Sequence, residues 1–324
     1  MKFNPWIHLA APLCAAVMVP LATAQDFPMK QPVRLMVTFA PGGGADTIAR
    51  TLNGRMGEAL GQMVIVENKA GAAGAIATDY VAKSLPDGYT VLFTVSSHSI
   101  NQALVPSLPF NTEADLRGVT LIGALPQALA VNPSTPASTL QEWIALGRQD
   151  PRYLQYATGG IGSPGHFAGA LLQSLGKLSL VHVPYRGAGP AMADVMGNQV
   201  PAVLGTLSGI LPHIKSGKLK AIAVTSSQRS PLILDVPTIA ESGFPGYESD
   251  TWVGMFVPRA TPQETVNKLH KATLAALRDP AVAARMESQA GYIIGGSPSE
   301  LDALVAREIK QFSQVVREQG LKPE

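Results

Sequence analysis

Strand-like and helix-like segments alternate strictly over residues 33–95, and this alternation restricts the fold more than any other feature of the chain. The apolar run "VRLMVTF" (33–39) has the length and bulk of a buried strand. "TIARTLNGRMGEALG" (47–61) brings Ile48, Leu52, Met56 and Leu60 back about once per turn, the period of a helix. "MVIVEN" (63–68) is a second strand, "GAIATDYVAKS" (74–84) a second helix, and Asp87-Gly88 turns the chain into a third strand, "YTVLFTV" (89–95). The order β-α-β-α-β predicts an α/β fold with a parallel sheet and crossover helices.

A Pro-containing stretch at 105–120 interrupts the pattern, and "VTLIGALPQALAVNP" (119–133) reads as extended chain leading elsewhere. A second α/β unit follows, with strands expected at "YLQYAT", "LSLVHVPY", "VPAVLGTL" and "KLKAIAVTS". The C-terminal part is helical and clearly punctuated. Thr261-Pro262-Gln263-Glu264 and Ser297-Pro298-Ser299-Glu300 have the spacing of capping boxes, and Asp279-Pro280 opens a further helix. The resulting division is residues 25–125 plus 238–324 for one lobe and 126–237 for the other. A chain of 324 residues suits two cores of about 150 residues each.

Lys2 followed by "LAAPLCAAVMVPLATA" and Ala22-Thr23-Ala24 has the form of a cleavable export signal, residues 1–24. Pro12 and Pro20 interrupt the run, and no later apolar run is long enough for a span. Cys14, the only cysteine, would leave with the signal, and with it any disulfide, thiol nucleophile or cysteine metal site. The expectation is a soluble, exported protein. Net charge is only +2 and no Lys/Arg run exists, so a nucleic-acid footprint is missing.

Chemistry is concentrated where strands end. "FAPGGGADTIAR" (39–50) passes from a strand through Gly42, Gly43 and Gly44 into a helix. A helix start exposes unpaired N–H groups and about half a positive charge, so such a loop holds an anion without a lysine. Asp46 is placed to cap that helix or to hold a water facing a ligand. "ATGGIGSPGHFAG" (157–169) repeats the device with Thr158, Gly159, Gly160, Gly162 and Ser163, and "VPYRGAGPAM" (183–192) with Tyr185, Arg186 and Gly187. "TVSSHSIN" (94–101) adds Ser97 and His98 after another strand. In open α/β sheets ligands bind beyond the carboxyl ends of strands, so two facing sheets would place these donors around one cleft. A hydrogen bond to a charged group nets roughly 1.5–3 kcal/mol. Four or five therefore reach the roughly 8 kcal/mol of a micromolar ligand.

Catalytic readings fit less well. A dinucleotide fingerprint would need glycine at position 47, which is Thr47, and no Gly-Lys-Ser/Thr follows for a P-loop. Ser163 lacks the glycine two residues earlier that a nucleophile elbow needs, since that residue is Ile161. Ser174-Leu175-Gly176-Lys177 matches a serine–lysine motif by letters only. The six histidines have no ligand spacing, and His98 and His166 are expected as hydrogen-bonding loop residues; no metal or cofactor is expected. Trp252 borders the cleft or fills the core, with core favoured. An ester hydrolase using Ser163 or Ser97 with His166 or His98 is the competing class.

"PVRLMVTFAPGGGADTIAR", "VIVENKAGAAGAIATDYVAKSLPDGYT", "VHVPYRGAGPAMADVMGNQV", "LPHIKSGKLKAIAVTS" and "DVPTIAESGFPGYE" resemble, in register and over nearly the whole mature chain, the Bug-type receptors of tripartite tricarboxylate transporters. The resemblance implies a two-lobed periplasmic binding protein fold of type II, each lobe a mostly parallel sheet flanked by helices, with the cleft between lobes. It implies a monomeric, non-enzymatic receptor for a small carboxylate, delivering it to membrane subunits or, in an orphan version, to a signalling partner. The ligand positions it implies are Phe39, Ala40, Gly42, Gly43, Gly44, Ala45 and Asp46, facing Ser97 and His98, then Thr158 to Ser163, then Tyr185 to Gly187. Where many members carry an acidic pair after the strand "VPAVL", this chain has Leu204-Gly205 followed by Thr206, and Ile161 replaces a usual polar residue. Both departures imply an aliphatic or aromatic carboxylate rather than an amino acid or citrate.

Overall fold

The structure is a computed structural model that describes residues 27–42 and 44–322; the export segment with Cys14, and Gly43 of the first loop, lie outside the described residues. The expected β-α-β-α-β opening is present. Strands β1 (Val33–Val37), β2 (Val64–Asn68) and β3 (Thr90–Val95) alternate with helices α1 (Gly44–Leu60) and α2 (Ala75–Ala82). Both β2 and β3 pair parallel to β1. Helix α3 (Ser97–Leu104) and the single turn α4 (Thr112–Asp115) lead to β4 (Leu116–Leu125).

The chain then enters a second sheet of β5 (Gln127–Val131), β6 (Gln155–Thr158), β7 (Val181–Pro184), β8 (Ala202–Thr206) and β9 (Lys220–Val224). Helices α5 (Leu140–Gln149), α6 (Pro164–Gly176), α7 (Ala188–Met196) and α8 (Leu207–Lys215) connect these strands. It returns through β10 (Thr251–Pro258), α9 (Gln263–Leu277), α10 (Pro280–Ser288), β11 (Tyr292–Gly296) and α11 (Pro298–Gln319). The sheet orders are β11-β4-β10-β3-β1-β2 and β7-β6-β8-β5-β9.

Both sheets are mixed, where mostly parallel ones were expected. Helical crossovers make β1, β2 and β3 parallel, and likewise β6, β7 and β8. Strands that arrive from the other sheet without a crossover helix run the opposite way. Thus β10 pairs antiparallel to both β3 and β4, and β5 pairs antiparallel to both β8 and β9. β10 carries Trp252, which is core, and its eight residues are all buried.

Each sheet has its own core. Leu35, Ile48, Leu52, Met56, Phe93 and Met255 pack together on the first sheet, and Trp143, Tyr156, Leu171 and Tyr247 on the second. The two crossings between sheets are bonded to each other. Thr225 N–H donates to Gln127 O at 3.0 Å and Ser249 N–H to Thr225 O at 3.1 Å. Gln127 N–H donates to Thr225 Oγ1 at 2.9 Å, and that hydroxyl donates to Asp250 Oδ1 at 2.9 Å. Tyr292 Oη–H donates to the other carboxylate oxygen of Asp250 at 3.0 Å.

Helix α11 departs from the sequence division. At 22 residues it is about 33 Å long, more than one lobe needs. Its last turns pack on the second unit: the Phe312 ring lies 5.1 Å from that of Phe167, and Gln319 donates to Ala170 O at 3.0 Å. Its capping box at Ser297 and Glu300 forms as expected. The one expected at Thr261 does not. Thr261 N–H closes a turn onto Pro258 O, so α9 starts two residues later and the buried Thr261 hydroxyl has no partner.

Trp252 Nε1–H donates to Glu308 Oε2 of α11 at 2.7 Å, and burial pushes that carboxyl up to about 7. A raised carboxyl binds more protons folded than unfolded between about pH 4.5 and 7, so stability falls as pH rises through that window. Glu308→Gln keeps the indole's acceptor and removes the charge. It is expected to melt higher than the wild type at pH 8, by of order 1–3 kcal/mol, with the difference vanishing near pH 4.5, in calorimetric melts across pH.

Candidate functional site

The parallel registers decide where the loops go. With β1, β2 and β3 parallel, the loops after them, 38–44, 69–74 and 96–97, emerge along one edge of the first sheet. With β6, β7 and β8 parallel, the loops at 159–163, 185–187 and 205–206 emerge along one edge of the second. Each loop runs into a helix, so six helix N-termini, of α1, α2, α3, α6, α7 and α8, lie at these two edges. The 159–163 loop lies beside the C-terminal end of α3: a side chain added at Gly162 would come within 3.5 Å of Leu104 Cδ2.

The second-sheet loops are bonded together. Tyr185 N–H donates to Thr158 O and Gly187 N–H to Gly159 O, at 3.1 and 3.2 Å. Ser163 caps α6, accepting from His166 N, and donates its own proton to Gly160 O at 2.7 Å. The Tyr185 hydroxyl turns away to Asp194 Oδ2 at 2.6 Å, and burial with that bond pushes the phenol up. The hydroxyls of Thr158, Ser163 and Tyr185 are therefore already used within the protein. What this side offers a ligand is backbone N–H, together with Arg186, whose exposed guanidinium has no ion pair among the described residues. Gly205 and Thr206 end β8 half-buried, and Gly165 sits so close to Leu204 O that a Cβ there would overlap it.

On the first sheet Asp46 is committed to the loop itself. Its carboxylate accepts from Gly42 N at 2.8 Å, from Asn68 Nδ2 at 2.8 Å and from Arg50 Nε at 3.0 Å. Asn68 also donates to Phe39 O at 2.9 Å, tying β2 to the start of the loop. Asp46 lies inside the first turn of α1, so it draws Gly42 back onto the helix. Ala40 and Gly42 are exposed. Helical geometry leaves the N–H groups of Gly44 and Ala45 without an intrahelical acceptor.

The Ser97 hydroxyl is buried with no partner. His98 turns into the core: its ring lies 4.7 Å from Phe256 and 6.5 Å from Trp252, and both ring nitrogens lack a partner. Burial pushes it down to about 3, so the ring is neutral near pH 7. Its backbone, not its imidazole, belongs to the loop edge.

One wall was absent from the sequence reading. In the loop 71–74 Ala72 and Ala73 both take left-handed φ, 47° and 50°, at a cost of roughly 1–2 kcal/mol each. Asn101 Nδ2 of α3 holds that loop by donating to Ala73 O at 3.0 Å. A Cβ on Gly74 would meet Thr38 Cβ at 3.0 Å. The signal was "AGAAGA" between a strand and a helix, the same arrangement as at 39–50. Among the described residues no three His, Cys, Asp or Glu side chains are grouped to hold a metal, and no helix is long and apolar enough to cross a membrane.

Known proteins of the same fold match nearly the whole chain. Residues 48–321 match the family model described as tripartite tricarboxylate transporter family receptor. Protein BugT of Bordetella pertussis is 34% identical over 310 residues, 95% of this chain and 94% of that protein. Among solved structures, MatC from Rhodopseudomonas palustris with bound malate is 33% identical with a TM-score of 0.74, covering 90% of this chain and 100% of its own. R. palustris Rpa4515 with adipate is 32% identical with a TM-score of 0.76, covering 92% and 100%.

The bonds from Arg50, Gly42 and Asn68 outweigh burial, which opposes them, and hold the Asp46 carboxyl below its ordinary range. The stability they add is present above the unfolded value near 4 and lost only as pH falls through the lower folded one. Asp46→Ala frees Gly42 and is expected to lower the melting temperature at pH 7 by a few degrees while slowing no other step of folding. Amide exchange over residues 40–45 is expected to rise at least tenfold; unchanged exchange there would contradict the role given to this carboxylate.

Proposed function

Because the chain belongs to the tripartite tricarboxylate transporter receptor family, we propose that it is a periplasmic solute-binding receptor that captures a small carboxylate between its two lobes and delivers it to the membrane subunits of such a transporter. The observation that supports this reading is that three parallel strands in each sheet end along one edge and each hands the chain to a helix. Helix N-termini and exposed backbone N–H groups favour a carboxylate over a cation or a neutral solute. The hydroxyls of Thr158, Ser163 and Tyr185 are spent on the protein itself, and that of Ser97 is buried, which favours holding over turnover. His98, the partner that a hydrolase at Ser97 would need, has its imidazole among Phe256 and Trp252.

The ligand class follows from chemistry and likeness together. Arg186 is a free cation at the rim, and two relatives bind malate and adipate, both aliphatic dicarboxylates. One carboxylate would sit among the helix starts and the second would reach the rim. Each lobe supplies only part of the donor set, so the ligand gains its full complement when the lobes close. Closure shifts the open–closed equilibrium by the difference in affinity between the two states. The transporter subunits would then read the closed form.

Calorimetric titration of residues 25–324 with malate, adipate, citrate and benzoate tests this reading. Micromolar or tighter binding of an aliphatic dicarboxylate is expected; silence toward all four, with turnover of model esters, would replace the receptor by the hydrolase. Arg186→Ala is expected to weaken dicarboxylate binding by roughly three- to tenfold and to flatten its salt dependence, since an exposed pair at the rim is worth about 1 kcal/mol.

A further inference from the structure

Two imidazoles lie stacked beneath the ligand loop of the second sheet. The rings of His166, in the first turn of α6, and His182, on β7, are 4.0 Å apart and within 16° of parallel. Each is tied to the loop. Gly162 N–H donates to His166 Nδ1 at 3.2 Å. His182 Nε2 lies 2.7 Å from Thr158 Oγ1, which in turn accepts from Gly160 N at 3.2 Å. Thr158 Oγ1 also lies 3.3 Å from Gly160 O, so its proton goes to Gly160 O or to His182 Nε2 according to the imidazole's tautomer, and either way the hydroxyl joins His182 to the 158–160 backbone.

We propose that His166 and His182 are a positioning pair: stacked and neutral, they set the conformation of residues 158–163, His166 through Gly162 and His182 through Thr158, and so tune carboxylate affinity without touching the ligand. The argument rests on the receptor reading for its ligand. Geometry requires a neutral His166, because a proton on its Nδ1 would remove the acceptor of Gly162 N–H. His182 meets Thr158 in either neutral tautomer. A second charge would lie 4.0 Å from the first across the stack.

The surroundings agree. Tyr156 packs on His182 with ring centres 5.3 Å apart and donates its hydroxyl to His166 O at 3.3 Å; Phe167 lies 5.4 Å from His166. No ion pair involves either histidine among the described residues, and burial raises the Tyr156 phenol beyond reach. Burial pushes His166 down to about 4, and burial with the facing His166 pushes His182 down to about 3. Both values lie below the ordinary 6.5. The unfolded chain thus binds more protons between about pH 6.5 and 4, and the pair's contribution is lost as pH falls through that window.

The experiment uses residues 25–324 with malate and adipate as probes, in the wild type, His166→Asn, His166→Leu, His166→Gln and His182→Leu. Asparagine places an oxygen near the position of Nδ1 and cannot titrate. His166→Asn is expected to bind within about threefold of wild type at pH 7, while His166→Leu and His182→Leu lose roughly tenfold, the value of one hydrogen bond near a charged ligand. If His166→Leu does not fold, His166→Gln, whose amide reaches past Gly162, takes its place with the same expected loss. The wild-type to His166→Asn affinity ratio, in which the ligand's own ionisation cancels, is expected to fall on acidification from pH 7 to 4.

Nitrogen-15 spectra of the histidine rings and of the Gly162 amide, recorded without ligand, judge the pair independently. Both rings unprotonated at pH 5.5 and a displaced Gly162 amide in His166→Asn support it. Titration near the ordinary value, an unmoved Gly162 amide, or leucine variants that bind like wild type overturn it. If neither acid binds the wild type, the ligand class fails and the spectra alone decide the pair.

Discussion

Unpaired backbone N–H groups at helix starts are the interaction around which the rest of this protein is arranged. Three parallel strands in each sheet end on the same edge, and each hands the chain to a helix. A helix start leaves donors that no residue of its own helix can accept. The fold thus produces a row of helix starts along one edge of each sheet as a by-product of parallel pairing. Side chains then act on those rows mainly as supports: Asp46 and Asn68 fix the first loop, Asn101 the second, and Ser163, Thr158, His166 and His182 the fourth.

This division of labour accounts for the chemistry the site lacks. Hydroxyls and imidazoles that look catalytic in sequence are consumed by the loops or by the core. A carboxylate among backbone donors in a half-desolvated cleft needs no lysine, and a loop held by its own side chains needs little reorganisation when the ligand arrives. The bonded crossings at Gln127, Thr225 and Asp250, together with α11 lying across both units, give the two lobes a continuous mechanical connection.

Much of this was legible in the sequence because period and punctuation are local signals. The alternation over 33–95 reports crossover helices directly, and the glycine loops mark strand ends. Ser297 and Glu300 formed their box because nothing else competed for them; Thr261 was claimed by the turn that ends β10. What the sequence hid was long-range. That β10 inserts between β3 and β4, that the His98 ring faces Phe256, and that His166 meets His182 sixteen positions away all depend on pairing between distant segments. In the 71–74 loop Gly71 and Gly74 mark the turn, but nothing in the sequence marks the left-handed φ of Ala72 and Ala73 between them.

A competing place for a ligand is a groove of about 650 Å³ between α11 and strands β11, β4 and β10, bordered by Glu248, Asp250, Trp252, Arg307 and Glu308. Amide chemical-shift mapping during titration with malate distinguishes the two places. Saturable downfield shifts are expected at Gly44, Ala45 and Ser97 on one edge and at Gly159 and Ile161 on the other, with one common dissociation constant. Shifts confined to the α11 groove, with both loop edges silent, would contradict this expectation.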